Sequence, residues 1–106
     1  MTVVCPLDRL LPYRGVAALL PGGVQVALFR TGDGNVYALS NIDPYSRAAV
    51  LSRGIVGDRG GVPVAVSPMH KNAFDLRTGV CVDDPDVSVE VFPVRVDAGM
   101  VLVGVP

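Results

Sequence analysis

The sequence is poor in the residues that most metal and redox sites use. Among its 106 residues it has no tryptophan, one histidine and two cysteines, and charged residues make up only 18%. Cys5 and Cys81 lie far apart, so neither a CxxC redox pair nor the spacing of a zinc ribbon is present. We therefore expect two reduced, partly buried thiols.

Long apolar runs and clusters of basic residues are also missing. The longest apolar stretch, residues 15–20, ends at Pro21 and is far shorter than the roughly 18–20 residues of a membrane span. The formal net charge is −1 and the nine basic residues are scattered, which argues against a nucleic-acid partner. Asp8 and Arg9 interrupt the apolar start of the chain, unlike a signal peptide. These absences predict a cytoplasmic protein that binds neither nucleic acid nor membrane.

Valine is abundant and occurs in alternating patterns. Half of the residues are hydrophobic, so a chain of this length can bury one core, and we treat residues 1–106 as a single domain. Apolar residues alternate in short runs bounded by turn residues, at positions 24–29, 62–66, 87–91, 94–96 and 101–103. The pattern predicts an all-β fold of two small antiparallel sheets or a partly open barrel. One short helix is predicted over residues 46–52, with Ser46 as its N-cap.

The most specific pattern begins at Ser67. Residues 67–70 read Ser-Pro-Met-His, a Phe-Asp pair and a Thr-Gly turn follow, and residues 92–94 read Phe-Pro-Val. This order resembles the second half of Rieske-type iron–sulfur domains, and the resemblance extends over essentially the whole chain. It implies a Rieske-like fold in which two loops, here residues 41–46 and 67–73, correspond to the cluster-binding loops.

The resemblance places the four cluster-ligand positions at Asn41, Asp43, Ser67 and His70. A Rieske [2Fe–2S] centre takes two thiolates on one iron and two imidazoles on the other, so three of these four positions have lost their ligand. We therefore expect no cofactor and no metal on this chain, and we assign it no catalytic residue. Our hypothesis is that polar side chains now join the two loops, with Asp43 accepting from backbone N–H groups or from His70.

The segment that connects the two parts of the predicted fold, residues 41–58, indicates a more specific group within the Rieske-like domains. It begins Asn-Ile-Asp-Pro-Tyr-Ser and is similar to the small subunits of NAD(P)H-dependent assimilatory nitrite reductases. That resemblance implies a large-subunit partner that holds FAD, siroheme and a [4Fe–4S] cluster and uses NAD(P)H to reduce nitrite to ammonia. This chain would then be a non-redox accessory subunit that stabilises or positions the large subunit.

Candidates for contact with that partner lie in the connection and in the second loop. Arg and Tyr are enriched at interface anchors, and these loops surround the degenerate ligand positions. The candidates are Tyr45, Arg47, Arg53, Arg59, Met69, His70 and Lys71.

Other functions stay open at this point. One is a Rieske-type ferredoxin that binds a [2Fe–2S] cluster through unusual ligands. Another is a small module that binds an anion such as nitrite through His70, Lys71 and backbone N–H groups. A third is a weak zinc or iron site formed by His70 with Asp43 and Ser67.

Overall fold

Short alternating runs rich in β-branched residues make this chain mostly strand. The computed structural model describes residues 1–69 and 71–106. Two short 3₁₀ helices, Leu7–Arg9 and Leu51–Arg53, occur in this part of the chain. The strands are β1 (Thr2–Pro6), β2 (Gly15–Leu20), β3 (Val24–Arg30), β4 (Val36–Ser40), β5 (Ile55–Arg59), β6 (Val62–Val66), β7 (Ala73–Asp75), β8 (Val91–Phe92), β9 (Val94–Asp97) and β10 (Met100–Val103).

The strands that the structure describes form three antiparallel sheets. The strand orders are β1-β10-β9, β2-β3-β4-β8 and β5-β6-β7. The all-β prediction is confirmed, but there are three sheets where two were expected. The reason is that the first and last strands pair with each other, from Thr2 opposite Val103 to Pro6 opposite Met100, and form a separate sheet together with β9.

Residues 26–29 of strand β3 are buried on both faces and join the two halves of the core. Val26 and Leu28 pack into one cluster, with residues from the β1-β10-β9 sheet. Ala27 and Phe29 pack into the other, with residues from the β5-β6-β7 sheet. The alternation of side chains along a strand therefore places the four-stranded sheet between two hydrophobic clusters.

The predicted helix over residues 46–52 is wrong, since the helical segment here is the 3₁₀ helix Leu51–Arg53. Arg47 has a φ of 60°, which a right-handed helix does not accommodate. The Ser46 hydroxyl accepts a hydrogen bond from the backbone N–H of Ala48 at 3.3 Å, which forms a local turn rather than a helix cap.

The predicted strand over residues 87–91 is also shorter in the structure. Only its end contributes to β8, whereas Ser88 forms an isolated bridge with Val80. The other four predicted strands are present. In the described part of the chain, no helix is long and apolar enough to cross a membrane.

Candidate functional site

The first loop, predicted over residues 41–46, follows β4, extends to Arg47 in the structure and is held by its own buried polar side chains. The side-chain Oδ1 of Asn41 accepts a hydrogen bond from the backbone N–H of Ser52 at 2.7 Å. Asp43 is fully buried, and its Oδ1 accepts from the backbone N–H of Tyr45 at 2.9 Å. The Asn41 side-chain oxygen and the Asp43 carboxylate therefore both have hydrogen-bond donors within the protein, as buried polar groups generally do.

The second loop, predicted over residues 67–73, follows β6 and ends before Ala73, the first residue of β7; its described residues, 67–69 and 71–72, include a buried serine. The backbone N–H of Ser67 donates to the carbonyl of Asn72 at 2.9 Å. Its hydroxyl accepts a hydrogen bond from the backbone N–H of Met69 at 3.3 Å. Like Asp43, Ser67 is completely removed from solvent.

The two loops close in the same way. The backbone N–H of Arg47 donates to the carbonyl of Asp43 at 2.7 Å, and that of Lys71 donates to the carbonyl of Ser67 at 3.0 Å. Arg47 and Lys71 adopt left-handed φ values of 60° and 61°. The shared order of a polar residue, proline, two further residues and a basic residue is visible in Asp-Pro-Tyr-Ser-Arg and Ser-Pro-Met-His-Lys. This shared residue order is the signal in the sequence from which the similar backbone conformations of the two loops could have been predicted.

A buried hydrogen bond joins the loops, because the Ser67 hydroxyl donates to Oδ2 of Asp43. Burial of the Asp43 carboxyl opposes ionisation, but hydrogen bonds from Ser67, Tyr45 and Ser46 outweigh it and hold its pKa below the usual value. Asp43 does accept a hydrogen bond from a backbone N–H group, as the hypothesis stated, but the bond between the loops comes from the Ser67 hydroxyl, which the hypothesis did not name. His70 lies outside the described residues, so its part in the tie stays a prediction.

Tyr45 extends from the first loop to the segment that follows β7. Its hydroxyl lies 3.7 Å from Sγ of Cys81 and 3.5 Å from Oδ2 of Asp84, and its ring centroid lies 6.5 Å from that of Phe74. Partial removal from water, together with the contacts to Cys81 and Asp84, raises the pKa of Tyr45 to about 12. Tyr45 therefore connects a third chain segment to the loops.

The predicted partner contacts fall into two groups. Five lie on the surface around the two loops, and they are Tyr45, Arg47, Arg53, Met69 and Lys71. Arg59 is also exposed, but its guanidinium forms a 3.2 Å ion pair with Asp83, whose other carboxylate oxygen accepts from the backbone N–H of Ala73. Contact of any of these residues with a partner stays a prediction, as it does for His70, which is not described.

The two cysteines lie apart from each other. Both are free thiols, as expected. Cys5 packs with Leu10 and Val101 in one hydrophobic cluster, and Cys81 is buried with Phe74 in the other. Burial raises the pKa of the Cys5 thiol.

Comparison with known proteins identifies the family to which this chain belongs. Residues 1–104 match the family model of the Rieske-like [2Fe–2S] domain. The nitrite reductase (NADH) small subunit of Salmonella typhimurium is 43% identical over 99 residues, which make up 92% of this chain and 91% of that protein. The chain belongs to the Rieske-like small subunits of nitrite reductase.

Solved structures agree with the membership in the small-subunit family. A crystal structure from Mycobacterium tuberculosis, named as an NADH-dependent nitrite reductase small subunit, has a TM-score of 0.94 and 56% identity, covering 96% of this chain and 91% of that one. The Klebsiella oxytoca protein named nitrite reductase [NAD(P)H] large subunit is 46% identical over 101 residues, or 95% of this chain. This chain spans only 10% of that protein, so a domain similar to the small subunit there belongs to a much longer polypeptide.

The donor set of this small subunit does not fit the [2Fe–2S] cluster in the family's name. With one histidine in its sequence, the chain does not supply the two imidazoles of a Rieske centre. Cys5 and Cys81 pack in different clusters and do not offer two thiolates to one iron. Asp43 and Ser67 bond to each other. Among the residues described, no three His, Cys, Asp or Glu side chains are grouped closely enough to hold a metal ion.

Proposed function

We propose that this chain is a non-redox accessory subunit of an assimilatory nitrite reductase in the cytoplasm. The large subunit would carry FAD, siroheme and a [4Fe–4S] cluster and would reduce nitrite to ammonia with NAD(P)H. This chain would stabilise or position the large subunit and contribute no catalytic residue. The observation that carries the proposal is the buried hydrogen bond between Asp43 and Ser67.

That hydrogen bond supports a non-redox role because it lies where the family resemblance places cluster ligands. In a Rieske protein the bonds to iron hold the two loops together. Here a serine hydroxyl on one loop donates to a carboxylate on the other, and each loop is also closed by its own backbone hydrogen bonds. These hydrogen bonds support a chain whose two loops are held together by protein groups rather than by iron.

The Klebsiella relative supports association with a large subunit. Its region of similarity to this chain accounts for 10% of a protein named nitrite reductase [NAD(P)H] large subunit. Two domains that are joined in one polypeptide in one organism are expected to associate when they occur on separate chains.

We assign the docking surface to the exposed residues around the two tied loops, and call it the loop face. It consists of Tyr45, Arg47, Arg53, Met69 and Lys71. Aromatic residues, methionine and arginine are enriched at interfaces. Because the Asp43–Ser67 bond holds both loops, this face is ordered before binding, which lowers the entropic cost of association.

Reconstitution with iron and sulfide tests the non-redox role. The purified chain is incubated anaerobically with ferrous iron and sulfide, desalted, and assayed for labile iron and for the paramagnetic resonance spectrum after dithionite reduction. A cluster-bearing Rieske ferredoxin treated in parallel is the positive control. We expect no stoichiometric iron and no rhombic signal. A rhombic signal from this chain would overturn the proposal and favour the ferredoxin alternative.

Charge reversal tests the loop face. Arg47→Glu combined with Arg53→Glu is expected to weaken co-purification with the large subunit, since both guanidinium groups are exposed on that face. Arg95→Glu, which changes an exposed arginine on β9, is the matched control and is expected to co-purify normally. Full retention of the complex by the double variant would assign docking to a different surface.

A further inference from the structure

Most sheet edges in the part of the chain that the structure describes carry features that disfavour pairing with another chain. Strand β9 presents Arg95 and Asp97, and β5 presents Asp58 and Arg59. Strand β8 has two residues and is followed by Pro93, and β7 has three residues. Charged side chains, proline and short length are the usual means by which edge strands avoid pairing with other proteins.

Strands β1 and β2 are also sheet edges in the described part of the chain, and they lack this protection. Residues 1–7 and 15–29 contain no charged side chain. Val3 on β1 is 56% exposed and Leu19 on β2 is 70% exposed. The one proline in these two strands is Pro6, at the last position of β1. An edge that is both apolar and uncharged is a template for an added strand.

The two unprotected edges face the same groove. Residues 2–5 of β1 and 16–19 of β2 line a depression of about 210 Å³. That volume is below the roughly 300–1,000 Å³ of ordinary small-molecule pockets. The lining is two strand segments rather than converging polar side chains, which suits an extended polypeptide better than a compact ligand.

The position of the chain ends identifies the occupant. Thr2 pairs with Val103, and Met1 and Val105 line a second depression beside the groove, together with Leu20. Both termini therefore leave the domain next to the β1–β2 groove. In the Klebsiella protein the region similar to this chain is 10% of the length, so the rest of that polypeptide continues from one or both of the corresponding ends.

We propose that an extended, uncharged segment of the large subunit adds as a strand to the edge of β2, alongside β1. The inference rests on the proposed function, because it takes the large subunit as the partner. The added strand would pair its backbone with the open edge of β2 and would place apolar side chains against Val3 and Leu19. None of the side chains that line the groove is charged, so a charged segment would find no ionic partner there and an uncharged one fits it better.

Hydrogen exchange of the purified complex tests the location. Backbone amides of residues 2–5 and 16–19 are compared in the chain alone and in the chain bound to the purified large subunit. We expect at least about tenfold slower exchange at some of these amides in the complex, since an added strand protects edge N–H groups. Amides of β9, the opposite edge of the sheet that contains β1, are expected to be unchanged.

Lysine substitutions test the same surface by binding. Val3→Lys combined with Leu19→Lys places two charges in the groove at exposed positions, so the fold is retained, and affinity for the large subunit is expected to fall roughly tenfold or more. Val96→Lys, on the opposite edge and 44% exposed, is the matched control and is expected to bind normally. Circular dichroism checks that all variants are folded.

The outcomes separate this inference from the proposed function. Protection confined to residues 41–47 and 67–72, or normal binding by the lysine double variant, overturns the added strand and leaves the docking proposal intact. Absence of any complex overturns both. If the β1 and β2 amides become protected from exchange when the chain alone is concentrated, the groove binds a second copy of the chain. That result would also overturn the inference.

Discussion

Asp43→Ala removes the acceptor that joins the two loops. Its carboxylate is fully buried and accepts from the Ser67 hydroxyl and the Tyr45 backbone N–H. Hydrogen bonds to a charged group contribute about 1.5–3 kcal/mol each, and part of this is offset because the carboxylate no longer has to be desolvated. We expect a loss of about 3 kcal/mol in the free energy of unfolding, or about 12 °C in Tm for a domain of this size.

A double-mutant cycle with Ser67→Ala isolates the bond between the loops. Ser67→Ala alone is expected to cost about 1.5 kcal/mol, mainly through loss of its bond to Asp43. The double variant is then expected to cost about 3 kcal/mol rather than about 4.5, which is a coupling of about 1.5 kcal/mol. Urea denaturation followed by far-ultraviolet circular dichroism measures this, since the chain has no tryptophan to report by fluorescence. Additive losses would refute the coupling.

Ionisation of the Asp43 carboxylate makes the stability of the fold depend on pH, and Asp43→Asn should remove this contribution. Its pKa is lowered in the folded state, so its contribution to stability is complete above the ordinary pKa of about 3.9 and is lost as the pH falls through the lower folded value. The stability of the wild type should therefore decline more steeply than that of Asp43→Asn as the pH is lowered below about 4. Parallel curves would show that Asp43 is not stabilised as a carboxylate.

Three further predictions concern the loops and the core. Because Arg47 has a φ of 60°, Arg47→Gly should be about 1 kcal/mol more stable to urea than Arg47→Ala; equal stabilities would contradict the left-handed backbone. Asp84→Asn should lower the Tyr45 pKa from about 12, which a spectrophotometric titration of the tyrosines measures. If Tyr45 titrated near the ordinary value of 10 in the wild type, the contacts described would be contradicted. Leu51→Ala, at a fully buried position, should cost about 2–5 kcal/mol, whereas Leu19→Ala at an exposed one should stay within about 0.5 kcal/mol; similar losses would place Leu51 outside the core.

The strands that the sequence predicted well are those whose burial follows from neighbouring residues. In β3, Val26 and Leu28 alternate with Ala27 and Phe29, and the structure buries each pair in a different cluster. The helix over residues 46–52 failed because short apolar spacing does not reveal a left-handed φ at Arg47 or the bridge between Ile42 and Ala49.

The sequence by itself determined the strand-rich composition, the turns, and the supply of one histidine and two cysteines that limits any iron site. These follow from local backbone preference and from counting donors, neither of which depends on how the chain packs. Only the tertiary structure decided that Asp43 and Ser67 meet, and that the edges of β1 and β2 face one groove. Such contacts join residues far apart in sequence, so they form only when burial of the whole core brings their strands together.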